Sequence, residues 1–254
     1  QAVVIATPPE FHYEYAVKGL ALKAHVLVEK PVRPIIALGG WKVLEAQAAG
    51  VQVSVWAAMN MRFHPGPEWL KRGWQAHQES SGVHDFEGTL VARVWYSYKG
   101  GHRPGSPDAA LGPILSSIHD LDALLWAMGG HRLYSTLQSS TARIGEKVLP
   151  RLAGCFGDVL VVLDADWTAH TRSRGVRLSA DDWELRWEAT GAGTEQIVFS
   201  DANGPKSMLT HPINDMYVRM MAEFFALCRD PGMESRLPKP SEVQDLAERM
   251  GVIR

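Results

Sequence analysis

Two short polar clusters near the start of the chain combine residue types that bind ligands and move protons. The first cluster, Thr7 to His12, reads Thr-Pro-Pro-Glu-Phe-His, and the second, Glu29 to Pro31, reads Glu-Lys-Pro. Each cluster directly follows a short apolar run of the kind that forms a strand. Ligands of open α/β sheets bind outside the carboxyl ends of the strands, so both clusters are predicted to lie on the ligand-binding edge of a parallel sheet.

The elements that position these clusters are predicted from the residues around them. Val3–Ala6 and His25–Val28 are short, wholly apolar or nearly apolar runs that predict two fully buried strands. Between them, Thr7 has the residue type of a helix N-cap, Pro8 suits the first helical position, and Glu10 completes a capping-box spacing. The predicted unit is therefore strand, helix, strand.

This pattern resembles the Gfo/Idh/MocA family of nicotinamide-dependent oxidoreductases, which shows Thr-Pro, a nearby His, a helix, a His-Val strand and then Glu-Lys-Pro. Two clusters held apart by one helix are more specific than a Lys-Pro pair alone. One difference is visible before His25, where the family has Gly-Lys and this chain has Lys23-Ala24. Glycine is favoured there because it takes a left-handed conformation after a helix.

The resemblance implies hydride transfer between NAD or NADP and a secondary alcohol of a sugar or polyol. It implies that Lys30 holds the substrate oxygen and stabilises alkoxide charge. The residues implied to shape the nicotinamide end of the cofactor site are Thr7, Pro8, Pro9, His12, Glu29, Lys30 and Pro31. Two structural interpretations remain open, with Thr7 as a helix cap only and Glu29-Lys30 as a surface ion pair.

A second stretch resembles another signature of this family. Gly112 begins a predicted helix on which Ser116, His119 and Asp122 share one face. The resemblance implies that His119 is the catalytic base and that Ser116 contacts the substrate, with Asp122 interpreted as structural. Many family members carry Asp or Asn four residues before this His, where this chain has Leu115. A hydroxyl such as that of Ser116 cannot replace the missing negative charge.

The junction after the third predicted strand, residues 51–57, carries a further candidate. Residues 60–65, Asn-Met-Arg-Phe-His-Pro, resemble the family's crossing into its second domain. Arg62 is interpreted there either as a substrate contact or as an interdomain salt bridge. Lys99, His102 and Arg103 lie in a loop rich in glycine and proline and are interpreted as solvated.

Composition restricts the class of protein. The 254 residues carry a net charge of −2, which gives no support for nucleic-acid binding by bulk electrostatics. The two cysteines lack metal-ligand spacing, so no metal site is expected, and a reduced, cytoplasmic protein is predicted. No apolar run approaches transmembrane length and no signal peptide is present, so no membrane partner is expected.

The fold class predicted is α/β, with a partial Rossmann domain followed by an α/β domain that has an open, mainly antiparallel sheet. Residues 1–58 are assigned to the C-terminal half of the Rossmann domain and 59–254 to a substrate-binding and oligomerisation domain. A Gly-x-Gly-x-x-Gly turn between a strand and a helix is absent from the sequence, which predicts an N-terminally truncated sequence. By the family resemblance, a homo-oligomer through the antiparallel sheet is expected.

Other functions remain open beside the dehydrogenase. A non-catalytic protein that senses a nucleotide or a sugar is favoured by Leu115 and by the absent glycine turn. Redox-neutral glycoside cleavage through transient oxidation by bound NAD is known from relatives in the family. An inactive fragment of an ordinary enzyme is the third alternative.

Overall fold

The computed structural model describes most of the chain. The described residues are 1–32, 40–81, 90–97, 112–129, 138–144, 147–156, 159–166, 173–179, 183–189, 195–201, 203–210 and 215–249. Up to residue 63 the elements are β1 (Ala2–Ile5), a 3₁₀-helix (Pro9–Phe11), α1 (His12–Ala21), β2 (His25–Val28), α2 (Gly40–Gly50), β3 (Val55–Ala57) and a second 3₁₀-helix (Asn60–Phe63).

The elements that follow alternate less regularly between helix and strand. They are α3 (Pro65–Ser81), β4 (Leu90–Ser97), α4 (Gly112–Ala127), β5 (Gln138–Ile144), β6 (Lys147–Phe156), β7 (Val159–Asp166), β8 (Ser173–Ser179), β9 (Glu184–Ala189), β10 (Glu195–Asp201), β11 (Gly204–Thr210), α5 (Asp215–Arg229) and α6 (Pro240–Arg249).

The chain divides into two compact units. The first unit comprises Gln1–Phe63 and Asn214–Glu248, and the second comprises essentially His64–Ile213. This division differs from the domains predicted from the sequence, 1–58 and 59–254, in two respects. The 3₁₀-helix Asn60–Phe63 stays with the first unit, and so do α5 and α6.

The first unit contains a parallel sheet with the order β1-β2-β3 among the described residues. All four residues of β2 are buried, as its apolar sequence predicts. In β1, by contrast, only Ile5 is buried, and Val4 is 48% exposed. The prediction of a fully buried first strand is wrong because β1 has a sheet neighbour on one side only within the described residues.

Helix α5 returns to the first unit because its apolar side chains complete that unit's core. Met220, Phe224 and Leu227 of α5 are buried together with Leu27, Trp56, Ala58, Phe63 and Leu237. The spacing of the α5 residues follows one face of a helix, so the sequence predicts the buried side correctly. Periodicity carries no information about which sheet that side covers, and chain order alone had suggested the second domain.

The second unit is built on a sheet of mixed direction. Among the described residues its strand order is β11-β10-β9-β8-β4-β7-β6-β5, and only β4 and β7 pair in parallel. The predicted open and mainly antiparallel sheet is therefore confirmed. In β9 the buried residues Leu185 and Trp187 alternate with partly exposed neighbours, which is the period-two pattern of a strand with one covered face.

The turn between α1 and β2 explains the difference from the family at Lys23. The backbone of Lys23 has a φ of 53°, which is the left-handed conformation that glycine adopts most easily. Its N–H donates to the Leu20 carbonyl oxygen at 2.8 Å and so closes the end of the helix. Lys23 therefore makes the left-handed turn for which the sequence pattern favours glycine, at a cost of about 1 kcal/mol for the β-carbon.

Within the described residues, no helix is both long and apolar enough to cross a membrane.

Candidate functional site

The two polar clusters of the sequence lie side by side at the carboxyl ends of β1 and β2. The strands pair in parallel up to Ile5 and Val28, and the Glu29 N–H then donates to the Ile5 carbonyl oxygen at 2.9 Å. Thr7 to Pro9 leave β1 at the same edge where Glu29 to Pro31 leave β2. Polar residues that follow neighbouring parallel strands converge in this way because strand ends share an edge.

Lys30 lies in a turn that is fixed by its own neighbours. The Lys30 N–H donates to the Glu29 carboxylate at 3.1 Å, and the peptide bond between Lys30 and Pro31 is cis. Glu29, Lys30 and Pro31 are all half-buried, so the turn is partly open to solvent. The described bond of the Glu29 carboxylate is therefore to the backbone of the turn.

His12 joins the two clusters. Its imidazole Nε2 lies 2.8 Å from the Thr7 carbonyl oxygen, and its Nδ1 lies 3.3 Å from the Pro31 carbonyl oxygen. The side chain is 1% exposed although it belongs to a polar residue at the start of α1. The sequence placed His12 near the cofactor site but gave no signal for a bridge between two backbone carbonyl groups.

The helix that follows Thr7 begins differently from the prediction. Pro8 occupies the cap position of the 3₁₀-helix Pro9–Phe11, and no side chain makes a capping hydrogen bond there. The interpretation of Thr7 as an N-cap is therefore wrong. The Thr7 hydroxyl oxygen is buried and has no hydrogen-bond partner among the described residues. An unsatisfied buried hydroxyl at a ligand-binding edge is consistent with a polar ligand group that completes it.

Arg62 is buried in the first unit, where it is 4% exposed. Its guanidinium donates to the Arg236 carbonyl oxygen at 2.9 Å. Arg236 in turn pairs with the Glu223 carboxylate at 2.7 Å and lies over the Phe63 ring. The described contact of Arg62 is thus within its own unit, and its assignment as a substrate residue stays a prediction.

His119 lies on α4 in the second unit, on the stretch that the sequence identified. It is 8% exposed, and Asp120 and Asp122 beside it are fully buried. Asp120 accepts a hydrogen bond from the Arg174 guanidinium at 2.6 Å, which ties α4 to β8. Ser116 lies on the same helix, and its side chain is outside the described residues, as are Lys99, His102 and Arg103.

A second buried polar network in the second unit was not recognised from the sequence. The Gly66 N–H donates to His64 Nδ1, so His64 Nε2 carries the hydrogen and donates to the Glu195 carboxylate at 2.9 Å. The Trp187 indole N–H also donates to this carboxylate, at 3.4 Å. A separation of 131 residues between His64 and Glu195 leaves no local pattern that could have predicted the pair.

The opposite edge of the parallel sheet holds a cavity of about 680 Å³ whose lining includes His25, Glu45, Cys228 and Lys239. Burial lowers the pKa of the His25 imidazole and of the Lys239 ammonium, and it raises the pKa of the Glu45 carboxyl and of the Cys228 thiol. The Glu45 carboxylate accepts two hydrogen bonds from Ser241, each at 2.8 Å. The described part of the chain contains no cluster of metal-ligating side chains, here or elsewhere.

Comparison with known proteins agrees with the resemblance seen in the sequence. Residues 1–57 match the family model named GFO_IDH_MocA, described as an oxidoreductase family with an NAD-binding Rossmann fold. This match confirms the resemblance for the first 57 residues, the part of the chain that carries both polar clusters. A search of curated protein sequences gave no significant match.

Several solved structures share the fold over nearly the whole chain. UDP-N-acetylglucosamine 3-dehydrogenase from Acidithiobacillus ferrooxidans is 17% identical with a TM-score of 0.72, covering 99% of this chain and 76% of that one. A dehydrogenase from Chromobacterium violaceum is 19% identical with a TM-score of 0.71, covering 99% and 75%. An oxidoreductase from Agrobacterium radiobacter, solved with NAD⁺, L-tartaric acid and magnesium, is 16% identical with a TM-score of 0.69, covering 99% and 76%. At these identities the likeness shows the fold.

Proposed function

We propose that this protein transfers a hydride between NAD or NADP and a secondary alcohol of a sugar or polyol. The premise is that residues 1–57 are part of the NAD-binding Rossmann fold of the Gfo/Idh/MocA oxidoreductase family. The observation that carries the proposal is the convergence of Thr7 and the Glu29-Lys30-Pro31 turn at the carboxyl ends of two paired parallel strands. This edge is where open α/β sheets bind their ligands.

The residues at this edge fit the nicotinamide end of the cofactor. Thr7 offers a buried hydroxyl that has no partner among the described residues, and Pro8 is exposed beside it. Glu29 and Pro31 form the other side of the edge, and both are half-buried. When bound, the nicotinamide supplies the hydride acceptor or donor. The chain's own residues must then orient the alcohol and move its proton.

Lys30 is assigned to the substrate oxygen. An ammonium group next to an alcohol stabilises the negative charge that develops on oxygen as its proton leaves. The turn around Lys30 is fixed by the bond of its own N–H to Glu29, so the backbone that carries the side chain is preorganised. Arg62 and Ser116 are further candidates for substrate contact.

His119 is assigned as the base that takes the hydroxyl proton. An imidazole suits this role because its ordinary pKa lies near neutral pH. The neighbouring Asp120 is held by Arg174, so the helix around His119 is anchored to the sheet of its own unit. Leu115 stands where a carboxylate or amide often assists the His in family members, which predicts a slower enzyme than one with that partner.

The first experiment is a titration with NADH and NADPH that follows quenching of tryptophan fluorescence and energy transfer to the nicotinamide. It uses the 254-residue chain and the protein expressed from its complete reading frame. Saturable binding supports the cofactor assignment, and the ratio of the two affinities separates NAD from NADP. Absence of binding to both proteins would contradict the proposed function.

Turnover with a panel of sugars and polyols tests the assigned residues. We expect Lys30→Ala to lower kcat by roughly a hundredfold or more without loss of folding, while Lys18→Ala, an exposed lysine on α1, leaves kcat unchanged. We expect His119→Ala to abolish the rise of activity toward alkaline pH. Unchanged kcat in Lys30→Ala would remove Lys30 from the mechanism.

A non-catalytic sensor of nucleotides or sugars is the second candidate. Leu115, at the position of the usual carboxylate or amide, favours it because the base would lack its partner. Saturable NADH binding without turnover of any alcohol on the panel would identify this function.

The proposal includes a homo-oligomer through the mainly antiparallel sheet, and a cytoplasmic location. Light scattering of the protein from its complete reading frame tests the first part, because an oligomer has at least twice the mass of one chain.

A further inference from the structure

His12 is in a position to control the turn that carries Lys30. Beyond the hydrogen bond from the Glu29 N–H to the Ile5 carbonyl, the regular pairing of β1 and β2 has ended. Past that point, the His12 ring contacts the carbonyl oxygen of Thr7 in its own cluster and the carbonyl oxygen of Pro31 in the other cluster. Thr7 directly precedes Pro8, and Pro31 directly follows Lys30.

The chemistry of the two partners defines what the ring must do. A carbonyl oxygen only accepts hydrogen bonds, so each ring nitrogen must carry a hydrogen to bond to it. Nε2, at 2.8 Å, makes the shorter contact with Thr7, and Nδ1 lies 3.3 Å from Pro31. Both bonds exist together when both nitrogens are protonated. Since the side chain is 1% exposed, water cannot easily replace a missing bond.

The burial of His12 also distinguishes it from the other residues of the edge. Pro8 is exposed and Lys30 and Glu29 are half-buried, so they can touch a bound molecule directly. His12 is covered, and both its nitrogens face backbone carbonyl groups. A ring in this arrangement acts on a bound molecule through the backbone it holds.

We propose that His12 is a positioning residue, which ties the Pro31 carbonyl to the Thr7 carbonyl and thereby fixes the turn that presents Lys30. This inference rests on the proposed function, because it assigns His12 to act through Lys30 on the substrate oxygen. It predicts that the Pro31 bond, and not the mere presence of a polar side chain, determines turnover.

Two single variants separate the two bonds. Asparagine carries its amide nitrogen at the position of His Nδ1, so His12→Asn can keep the bond to Pro31. Glutamine carries its amide nitrogen near the position of His Nε2, so His12→Gln can keep only the bond to Thr7. We expect kcat to fall roughly ten- to a hundredfold in His12→Gln, since a displacement of about 1 Å at a reacting group has effects of this size. His12→Asn recovers most of kcat, and the KM for the nucleotide stays unchanged in both.

A double-mutant cycle tests whether His12 acts through Lys30. In a Lys30→Ala background, His12→Gln should lower kcat no further, because the group that it positions is gone. Additive losses would overturn the proposal. Equal loss of NADH affinity in His12→Asn and His12→Gln would also overturn it and assign His12 to the cofactor.

A measurement on the wild-type protein keeps the proposal independent of activity and of how the variants fold. The ¹⁵N chemical shifts of the His12 ring, at neutral pH, report whether Nδ1 carries a hydrogen. A protonated and hydrogen-bonded Nδ1, with faster hydrogen exchange of the Lys30 amide in His12→Gln than in His12→Asn, supports the bridge. An unprotonated Nδ1 overturns it. A wild-type protein that binds no nucleotide and oxidises no alcohol contradicts the proposed function. In that case the ¹⁵N shifts of the His12 ring and the exchange of the Lys30 amide still show whether His12 bridges the two carbonyl groups.

Discussion

At the scale of single residues, the buried carboxylate of Glu195 holds two aromatic rings of the second unit in place. Glu195 is 6% exposed and accepts hydrogen bonds from two ring nitrogens, His64 Nε2 and Trp187 Nε1. A buried carboxylate is costly unless donors surround it, and removing it leaves those donors without a partner. The direction of the His64 bond is fixed because the Gly66 N–H occupies the other ring nitrogen.

We therefore expect Glu195→Ala to lower the free energy of unfolding by about 3 kcal/mol, because two buried donors lose their acceptor. Glu195→Gln should cost less, since its amide oxygen still accepts from His64 while its NH₂ group faces the Trp187 N–H. Urea unfolding measures both variants. The control is Glu188→Ala on the neighbouring strand, a partly exposed residue 3.9 Å from Arg186, for which less than about 1 kcal/mol is expected. Equal losses in Glu195→Ala and Glu188→Ala would contradict the argument.

Residue identities predicted the position of the two polar clusters better than they predicted the contacts made there. Thr7, Glu29 and Lys30 directly follow apolar runs that form paired parallel strands, so they lie at one sheet edge as expected, and their roles there stay a prediction. The cap assigned to Thr7 was wrong, since a 3₁₀-helix with Pro8 at its cap position begins the helical segment instead. The bridge made by His12 depends on a backbone carbonyl 19 residues away, and a backbone acceptor has no signature in the sequence.

At the scale of elements, the packing of α3 on β9 requires a glycine. A β-carbon at Gly66 would lie 2.3 Å from the Trp187 ring, far inside normal contact. The ring has little room to move because it is 1% exposed and its N–H donates to Glu195. The close approach of helix start and strand thus explains a residue type that helix propensity alone disfavours.

Gly66→Ala is accordingly expected to lower the free energy of unfolding by about 1–3 kcal/mol through overpacking. Gly50→Ala is the matched control, because Gly50 lies at the end of α2 and a β-carbon there would meet no atom within 4 Å. Alanine is the better helix former, so this variant should be neutral or more stable by up to about 1 kcal/mol. Chemical unfolding measures the free energy of unfolding of both variants. A Gly66→Ala variant that is more stable than Gly50→Ala would refute the packing argument.

Helix α6 is anchored at its start by a side chain from α2. The first N–H groups of a helix lack hydrogen-bond partners within the helix. The Glu45 carboxylate accepts a hydrogen bond from one of these groups, the Ser241 N–H, and a second hydrogen bond from the Ser241 hydroxyl. Burial nevertheless raises the pKa of the Glu45 carboxyl above its ordinary value of 4.5. The folded protein therefore holds this proton at a pH where the unfolded chain has lost it, and the stability from this group is lost as pH rises through the folded pKa.

Glu45→Gln should reveal this linkage. Relative to wild type, the variant is expected to be more favourable at pH 7 than at pH 4, since glutamine cannot ionise in the buried site. Glu45→Ala also loses the cap, so at each pH it should be about 1 kcal/mol less stable than Glu45→Gln. Urea unfolding of wild type and of both variants at the two pH values measures the difference. A Glu45→Gln variant with no pH dependence relative to wild type would show that burial does not perturb this carboxyl.

Element types were predictable where periodicity is strong. The buried side of α5 was found from spacing, which depends only on local geometry. In α4, by contrast, all residues from Ile118 to Leu125 are buried, so its apolar spacing did not predict which side is covered. Strand partners were less accessible. β4 and β7 pair in parallel, for example, but the alternation along a single strand is the same whether its partner is parallel or antiparallel.

At the scale of the whole molecule, the order of elements along the chain differs from their grouping in space. The chain leaves the first unit after Phe63 and returns to it with α5 and α6. The first unit's core therefore combines residues separated by more than 150 positions, among them Leu27 of β2 and Phe224 of α5. A boundary drawn from chain order alone misses this return, because a helix that covers either unit has the same amphipathic pattern.

Two adjacent phenylalanines on α5 test the assignment of this helix. Phe224 is 0% exposed in the first unit's core, and Phe225 is 46% exposed. Phe224→Ala is expected to lower the free energy of unfolding of the first unit by about 3–5 kcal/mol, through lost burial and the cavity left behind. Phe225→Ala should cost about 1 kcal/mol or less. Hydrogen exchange of individual amides locates the effect, and in Phe224→Ala we expect faster exchange in β2 and β3 while β8 and β9 keep their protection. Faster exchange in β8 and β9 with β2 and β3 unchanged would instead place α5 with the second sheet.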